Sequence, residues 1–197
     1  MNYHFYAMLS RMKNIYRWGL MRNTKNENLS EHSLEVAFIA HALAVIHNRK
    51  FGGNVDPCAV AAAAMFHDTS EIITGDMPTP IKYYNGQIRA AYKQIEAVAE
   101  NELISMLPEY MRDDFKALYS PDEQTERFIK AADKISALIK CIQELDMGNR
   151  EFLSAEKTTR QAVIDMHLPE ADLFLNDFME SFTLSLDEQR KTEENNA

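Results

Sequence analysis

Apolar side chains recur at the spacing of an α-helix along nearly the whole chain. Phe128, Ala132, Ile135, Ile139 and Ile142, for example, fall on one face, because residues three and four apart share one side of a helix. The chain contains only 6 glycines, no run of strand-like apolar–polar alternation and no hairpin dipeptide between two such runs. The pattern therefore predicts an all-α fold.

Start and stop signals divide the chain into predicted helices. These cover residues 3–16, 30–48, 57–74, 86–106, 108–119, 121–147, 150–167 and 170–182. The residues expected to cap or open them are Ser30, Asp56 with Pro57, and Ser120 with Glu123. Gly75 is expected to end the third helix, and the MPTP segment at 77–80 is expected to form a rigid loop, because proline fixes its own φ.

Length and charge bound the organisation of the chain. Its 197 residues, 46% of them hydrophobic, can fill one core, so we expect a single domain over 1–185 and a charged tail over 186–197. The net charge of −9 and the pI near 5.2 argue against a nucleic-acid polymer as partner, because phosphate backbones bind basic surfaces. A small phosphorylated ligand needs only a local cation or metal and stays compatible.

Cysteine usage and apolar runs indicate the compartment. Cys58 and Cys141 both lie in apolar, helical surroundings, so a disulfide scaffold is not expected. The N-terminus lacks the continuous apolar core of a signal peptide, and the longest apolar run, 59–66, is too short to span a bilayer. We therefore expect a soluble, cytoplasmic protein that does not associate with a membrane.

His67 and Asp68 form the first candidate for chemistry. The dipeptide alone carries little weight, since this composition supplies about 0.4 such pairs by chance. Glu71 follows one helical turn later, and two ligands beside a carboxylate would suit a metal and its water. The alternative is a core histidine with two acids on a solvated shoulder, which this segment alone leaves equally open.

Two further polar positions lie near apolar stripes of other helices. The side chain of His32 points the same way as the stripe through Val36, Ile39 and Leu43, and a buried imidazole needs a hydrogen-bond partner or a metal. Asp133 lies on the shoulder of its stripe. The alternative for His32 is a core histidine whose hydrogen bonds are satisfied, and the alternative for Asp133 is a solvated acid at the edge of its helix. Periodicity does not decide whether Asp133 is a ligand or such an acid.

Two loop regions complete the candidate residues. Arg17 and Trp18 close the first predicted helix, where a surface charge and a core anchor are the ordinary roles. Asp76 and Thr79 follow the His67 helix, and an ordinary polar turn is the alternative there.

These residues together resemble the HD-domain phosphohydrolase superfamily, in which a histidine, a later His-Asp pair and a further aspartate come from successive helices. SEHS, FHDTSE and KAADKISA supply them here in that order. The resemblance is closer still to the bacterial 5′-deoxynucleotidases, through RMKNIYRWGLMRNTKNENLSEHSLEVA, NRKFGGNV, HDTSEIITGDMPTPIKYYN and FTLSLDE. It implies an HD-domain helical bundle with a metal site between helices, and a homodimer.

The resemblance also implies roles for individual residues. The metal ligands are His32, His67, Asp68 and Asp133. The catalytic residues are Glu71 and Arg17, the latter holding the phosphate. The substrate-binding residues are Arg17, Trp18, His32, Asp68, Asp76, Met77, Pro78 and Thr79, with Trp18 against the sugar and Asp76 at its 3′-hydroxyl. Since the remaining histidines lack motif context, one metal is expected.

The expected reaction is hydrolysis of deoxyribonucleoside 5′-monophosphates to deoxyribonucleoside and phosphate, selective against ribonucleotides. Two imidazoles and two carboxylates suit Co²⁺, Mn²⁺, Fe²⁺, Zn²⁺ or Mg²⁺ without choosing among them. The ion would activate water and polarise the phosphate, and Glu71 would supply a proton. The alternatives are another HD hydrolase, such as a deoxynucleoside triphosphohydrolase, and a catalytically silent helical binding module.

Overall fold

The computed structural model of this protein describes residues 2–82 and 84–191. Over these residues the chain consists of helices, turns and one isolated antiparallel bridge between Tyr16 and Asn28, without a β-strand, so the all-α prediction is confirmed. The α-helices are α1 (Phe5–Leu9), α2 (Leu29–Lys50), α3 (Pro57–Phe66), α4 (Glu71–Thr74), α5 (Thr79–Lys82), α6 (Gly86–Ser105), α7 (Arg112–Tyr119), α8 (Glu123–Asp146), α9 (Leu153–Ile164), α10 (Pro169–Phe178) and α11 (Leu186–Gln189). The 3₁₀ helices are Ser10–Asn14, Glu109–Met111, Arg150–Phe152 and Met179–Thr183.

Helices α2 and α8, the two longest, lie side by side at the centre. Helix α2 also packs on α3 and α10, and α8 also packs on α9. The main core between them is built from fully buried residues that include Val36, Leu43, Phe128, Leu138 and Ile139. Because Ala63 and Ala64 face α2 without bulk, α3 can approach closely, which brings the end of α3 next to the start of α2.

Helix α2 is long and apolar enough to cross a membrane by length and composition alone, and no other described helix is. Half of its most apolar window is buried inside the protein, where it contributes to the main core. We therefore interpret α2 as a core helix that keeps an apolar outer stripe, which includes the exposed Leu34 and Phe38.

A smaller aromatic cluster joins α1, α6 and α7 to the end of α3. Phe5 is buried against Leu103 and Leu107, and its ring meets the edge of Phe115 at 5.0 Å between centroids. Phe66, the last residue of α3, packs into the same cluster. This cluster fixes the point at which the main chain leaves α3 and turns towards the site.

Two of the expected N-caps are wrong by two residues. Asn28, not Ser30, caps α2 and forms the capping box with Glu31; Asp122, not Ser120, caps α8. The capping side chain comes two residues before the expected serine in α2 and two residues after it in α8, so α2 starts earlier and α8 starts later than expected. The predicted cap at Asp56 and the stop at Gly75, with φ +74°, are present as expected.

Several predicted helices are interrupted. The third ends at Phe66; residues 67–70 form turns, and α4 begins anew at Glu71, so the prediction of one helix to residue 74 is wrong. The first changes from α to 3₁₀ at Ser10, and the expected loop at 77–80 contains the start of α5. Apolar periodicity does not reveal such breaks, because one short turn of α-like residues keeps the phase of the pattern.

The end of the chain is more ordered than a frayed tail requires. Ser185 caps the short α11 through a capping box with Glu188. Residues 192–197 of the expected tail lie outside the described residues. The boundary at 185 therefore stays a prediction.

Candidate metal centre and active site

Four side chains predicted to bind metal lie together. One ligand atom from each of His32, His67, Asp68 and Asp133 lies within 4.8 Å of the others. His32 Nε2 is 3.2 Å from Asp133 Oδ1 and 3.5 Å from Asp68 Oδ2, and His67 Nε2 is 3.1 Å from the same Asp68 oxygen. Residues 101 positions apart in sequence thus converge on one point.

Three elements position these four side chains. His32 lies in the first turn of α2, Asp133 lies within α8, and His67 and Asp68 lie in the turn that follows α3. Within a regular helix consecutive side chains diverge by about 100°. His67 Nε2 and Asp68 Oδ2 nevertheless lie 3.1 Å apart, and the buried hydroxyl of Thr69 secures the turn by donating to the Phe66 carbonyl.

The two imidazoles present their Nε2 atoms to this point. His67 Nδ1 lies 2.8 Å from the Ala64 carbonyl, which can only accept, so Nδ1 carries the hydrogen. His32 Nδ1 lies 3.0 Å from Ser136 Oγ. Both Nε2 atoms are buried without a hydrogen bond, although carboxylate oxygens lie nearby. Buried nitrogens without partners, facing two carboxylates, fit a divalent cation.

Electrostatics at the cluster favour a positive species. Burial and the charge of Arg17 lower the pKa of His32, but the nearby carboxylates of Asp133 and Asp68 outweigh both effects and raise it to about 9. Burial raises the pKa of Asp133, yet His32 lowers it to about 2; the pKa of Asp68 lies well below its usual range, because His67 and His32 outweigh burial. The ionised carboxylates of Asp68 and Asp133 therefore face the His32 imidazole, which binds a proton readily. A metal ion could take the place of that proton.

Arg17 lies directly beside this cluster. Its Nη1 donates to Asp68 Oδ2 at 3.2 Å, and its Nη2 lies 3.8 Å from Asp133 Oδ1. Its Nε atom is buried without a hydrogen bond, 3.5 Å from Glu27. The guanidinium borders both the carboxylates and the open cavity, so it can meet an anion that approaches the cluster.

Trp18 has a left-handed backbone, with φ +61°, which is costly for a bulky residue. The neighbouring backbone secures this conformation, since Arg17 N donates to the Glu27 carbonyl and Leu29 N to the Ile15 carbonyl. The indole Nε1 donates to Glu27 Oε2 at 2.9 Å, and the ring packs on Phe152 at 5.4 Å between centroids. Strain held at this position fixes the indole at the cavity wall.

Glu71 is the first residue of α4 and is almost fully buried, with Oε2 lacking a hydrogen bond. Burial and the nearby charges of Asp68 and Asp76 raise its pKa to about 9. At neutral pH this carboxyl therefore carries a proton and can donate it.

A cavity of about 660 Å³ brings most of the predicted substrate residues together. Arg17, Trp18, Asp68, Glu71, Asp76, Met77, Pro78, Thr79 and Asp133 line it. Burial raises the pKa of Asp76. His32 and His67 are not among the residues that line the cavity, and His32 is fully buried. Substrate binding by His32 stays a prediction.

Several residues that line this cavity were not predicted from the sequence. They are Gly19, Leu20, Met21, Pro80, Lys82, Lys134, Ala137, Ala155, Thr158, Thr159 and Ala162. Lys82 is held by Glu96 at 2.9 Å and lies over the ring of Tyr92. Glu27, which accepts a hydrogen bond from Trp18, lies in a segment that none of the predicted helices covers. Small residues on α8 and α9 carry no chemical signature, so only their position reveals them.

Comparison with known proteins gives consistent matches. The family model described as 5′-deoxynucleotidase YfbR-like matches residues 4–182. A 5′-deoxynucleotidase of Vibrio vulnificus is 52% identical over 188 residues, covering 94% of this chain and 97% of the relative. A 5′-deoxynucleotidase of Cronobacter sakazakii is 52% identical over 190 residues, covering 94% of both chains.

Solved structures agree on the fold. An HD-domain phosphohydrolase of Listeria innocua superposes with a TM-score of 0.80 at 23% identity, covering 92% of this chain and 90% of that one. The HD phosphohydrolase of cyanophage S-2L, bound to dA and one catalytic Zn²⁺ ion, superposes with a TM-score of 0.61 at 19% identity, covering 89% and 96%. These likenesses identify the HD-domain architecture.

Proposed function

This chain belongs to the YfbR-like 5′-deoxynucleotidase family, and from that premise we propose that it hydrolyses deoxyribonucleoside 5′-monophosphates to deoxyribonucleoside and phosphate. It is an enzyme, a phosphoric monoester hydrolase. The observation that carries the proposal is one cavity bordered by the carboxylates of Asp68 and Asp133, by the mostly buried Arg17 and by Glu71, whose pKa is raised to about 9. These are the groups that phosphate-ester hydrolysis requires.

One divalent metal would be held by His32, His67, Asp68 and Asp133, the set whose unpartnered Nε2 atoms fit it. Co²⁺, Mn²⁺, Fe²⁺, Zn²⁺ and Mg²⁺ are all compatible with two nitrogen and two oxygen ligands. When bound, such an ion supplies Lewis acidity for phosphate and water.

The chain's own residues do the rest of the chemistry. Arg17 holds the phosphate with its planar fork of donors, and the same contact offsets the repulsion between phosphate and the acidic chain. A water oxygen bonds to phosphorus as the bond from phosphorus to the 5′-oxygen breaks. Glu71, which carries its proton at neutral pH, delivers that proton to the departing 5′-oxygen, and a proton from the attacking water restores the acid. Its burial keeps bulk water from competing for that proton.

Sugar selection is assigned to the cavity wall. Trp18, fixed by Glu27 and Phe152, packs against the 2′-carbon and leaves an added 2′-hydroxyl without a partner. Asp76 meets the 3′-hydroxyl, and Met77, Pro78 and Thr79 border the sugar.

A product assay tests the proposal. The purified protein, first freed of metal by a chelator, is given dAMP, AMP and dATP with each of the five metals. We expect orthophosphate from dAMP, little from AMP and no triphosphate from dATP. Triphosphate release from dATP would instead support a triphosphohydrolase, and full activity without metal would contradict the metal site.

The catalytically silent binding module considered from the sequence makes a different prediction. It predicts nucleotide binding without turnover under every metal condition. Because Glu71 is buried at a high energetic cost beside two other acids, a purely structural role offers no reason to retain it.

We also propose that the protein is a cytoplasmic homodimer. The outer stripe of α2 supports pairing, since Leu34 is 51% and Phe38 is 68% exposed on a helix that is otherwise in the core. Light scattering of the wild type should give twice the chain mass, and Phe38→Glu should reduce it. A wild-type monomer would contradict the dimer without touching the catalytic proposal.

A further inference from the structure

A hydrogen-bonded chain lies behind His32, on the side away from the cluster. Ser136, fully buried on α8, places Oγ 3.0 Å from His32 Nδ1. The same Oγ lies 2.6 Å from Oε2 of Glu35 and donates to it. The order is therefore carboxylate, hydroxyl, imidazole.

Donor accounting fixes the state of the imidazole. A serine hydroxyl has one hydrogen, and the short contact to Glu35 uses it. Towards His32 the oxygen can then only accept, so Nδ1 must carry a hydrogen. The lone pair for a metal is consequently at Nε2, the atom that faces Asp133 and Asp68.

The same two helices supply both the ligands and their support. On α2, Glu35 follows His32 by three residues; on α8, Ser136 follows Asp133 by three residues. Residues three apart share a helix face, so each helix presents one proposed ligand and, one turn further along, one member of the chain that supports His32. The register of α2 against α8 therefore sets the ligand pair and the supporting pair together.

Ser136 and Glu35 do not reach the substrate. Neither lines the 660 Å³ cavity, and Glu35 instead borders a separate cavity of about 190 Å³ with Glu27 and Glu31. Any effect of these residues on metal binding must therefore pass through His32.

We propose that Glu35 and Ser136 are positioning residues that hold His32 in the tautomer and orientation required for metal binding through Nε2. The inference rests on the proposed metal site. Partners of this kind typically change metal affinity by about 10- to 100-fold when removed. The competing explanation is a buried polar contact that only joins α2 to α8, and it predicts lower stability with unchanged metal affinity.

Ser136→Ala removes the acceptor for Nδ1, and Ser33→Ala is its matched control. Ser33 is buried next to His32, and its hydroxyl makes no hydrogen bond. With Zn²⁺ as probe and a chromophoric chelator as competitor, we expect Ser136→Ala to bind about 10- to 100-fold more weakly than wild type. Ser33→Ala should bind as wild type does.

Glu35 offers a second, independent pair of variants. Glu35→Gln keeps an oxygen that accepts from Ser136, so Zn²⁺ affinity should fall by less than about 10-fold, below the usual cost of losing such a partner. Glu35→Leu frees the serine hydrogen to donate to Nδ1, which moves the imidazole proton to Nε2 and should cost as much as Ser136→Ala. This pair decides the matter if Ser136→Ala fails to fold.

Nitrogen-15 NMR of histidine in the Zn²⁺-loaded protein supplies a readout independent of activity. Wild type and Ser33→Ala should show a protected Nδ1–H on His32, and Ser136→Ala should lose that protection. Equal Zn²⁺ affinity in Ser136→Ala and Ser33→Ala, or in Glu35→Leu and Glu35→Gln, would overturn the positioning role of Ser136 and Glu35 (the relay) while leaving the metal site intact. Absence of Zn²⁺ binding by the wild type would overturn the metal site and the relay with it.

Discussion

The surroundings of each acidic residue in this site determine its pKa. Glu71 and Asp68 are both carboxylic acids within one turn of each other, yet their pKa values shift in opposite directions. Burial and the charges of Asp68 and Asp76 raise the pKa of Glu71 to about 9, whereas two imidazoles keep the pKa of Asp68 low against its own burial. This separation of pKa values is what the proposed roles of proton donor for Glu71 and metal ligand for Asp68 require.

Glu71→Gln should lower kcat by about 10²- to 10⁴-fold, because the amide keeps the shape but has no proton to give. In the wild type, kcat should fall as pH rises through the pKa of Glu71, since the acid is active when protonated. A cation beside Asp68 cancels part of the repulsion between the Asp68 and Glu71 carboxylates. The fall in kcat, the basic limb of the pH profile, should therefore lie between the ordinary carboxyl pKa and about 9.

The pH profile of Glu71→Gln is the critical comparison. Residual activity should lack the basic limb seen in the wild type. If the limb persists unchanged in the variant, it belongs to another group and the proton role of Glu71 is wrong.

Trp18→Ala should reduce the preference for dAMP over AMP. A 2′-hydroxyl left unpaired costs about 1–3 kcal/mol, which corresponds to roughly 10- to 100-fold in kcat/KM, and removing the indole removes that cost. Trp18→Phe keeps a ring but loses the donor to Glu27, so it should retain part of the preference. An unchanged dAMP to AMP ratio in Trp18→Ala would exclude the indole as the sugar gate.

At the level of elements, the important feature is an interruption. Helix α3 stops at Phe66 and α4 starts at Glu71, and the intervening turn carries both His67 and Asp68. A continuous helix would direct these two side chains about 100° apart. In this turn His67 Nε2 and Asp68 Oδ2 nevertheless lie 3.1 Å apart, so two adjacent residues can serve one ion while Glu71 borders the same cavity as Asp68.

A second element-level feature fixes the loop that follows Trp18. The buried Glu144 carboxylate near the end of α8 accepts from the N–H groups of Thr24 and Lys25, from Asn149 and from the ammonium of Lys140. Lys140 also donates to the Lys25 carbonyl. Although burial raises the pKa of Glu144, these bonds lower it to about 2.

Glu144→Ala should lower the free energy of unfolding by about 3–5 kcal/mol, since Lys140 is left buried and uncompensated. For a chain of this size the midpoint of thermal unfolding should drop by on the order of 10 °C. Glu151→Ala is the matched control, because its partner Arg22 is almost fully exposed and such pairs contribute under about 1 kcal/mol.

Glu144 should also make the stability of the protein depend on pH in the acid range. A carboxyl with a lowered folded pKa stabilises the protein above its ordinary unfolded value and loses that effect as pH falls towards about 2. The difference between wild type and Glu144→Ala should therefore shrink below the ordinary glutamate pKa. A pH-independent difference would show that packing, not charge, is responsible.

At the scale of the whole molecule, the proposed metal centre joins parts of the chain that are far apart in sequence. Its four side chains come from α2 and α8, which form much of the main core, and from the turn after α3. A ligand that binds only the folded arrangement stabilises the fold by mass action. Metal binding and global stability should consequently be linked.

Metal at about 100 times its Kd should add about 2.7 kcal/mol of stability, equivalent to a rise of roughly 5–10 °C in Tm. Scanning calorimetry of the chelated and metal-loaded protein measures this directly. Asp133→Asn should unfold near the Tm of the chelated wild type and gain much less from metal. Identical Tm values for the wild type with and without metal would contradict the linkage.

Much of this protein can be predicted from its sequence alone. The helical period predicts the all-α class, because apolar stripes must be buried whatever the topology. The order of His32, the His67–Asp68 pair and Asp133 indicates the superfamily, and the family comparison confirms it. The functions of the individual site residues, which the structure brings together, stay predictions for the experiments above.

The tertiary structure alone decided three matters that lie outside sequence patterns. It placed Ser136 and Glu35 behind His32, it brought Glu27 under Trp18 and it lined the cavity with small residues of α9. It also broke the third helix where periodicity shows none. The reason is physical: helix formation depends on local spacing, whereas a carboxyl's pKa, an imidazole's tautomer and a cavity's wall depend on groups that approach only when α2, α3, α8 and α9 pack.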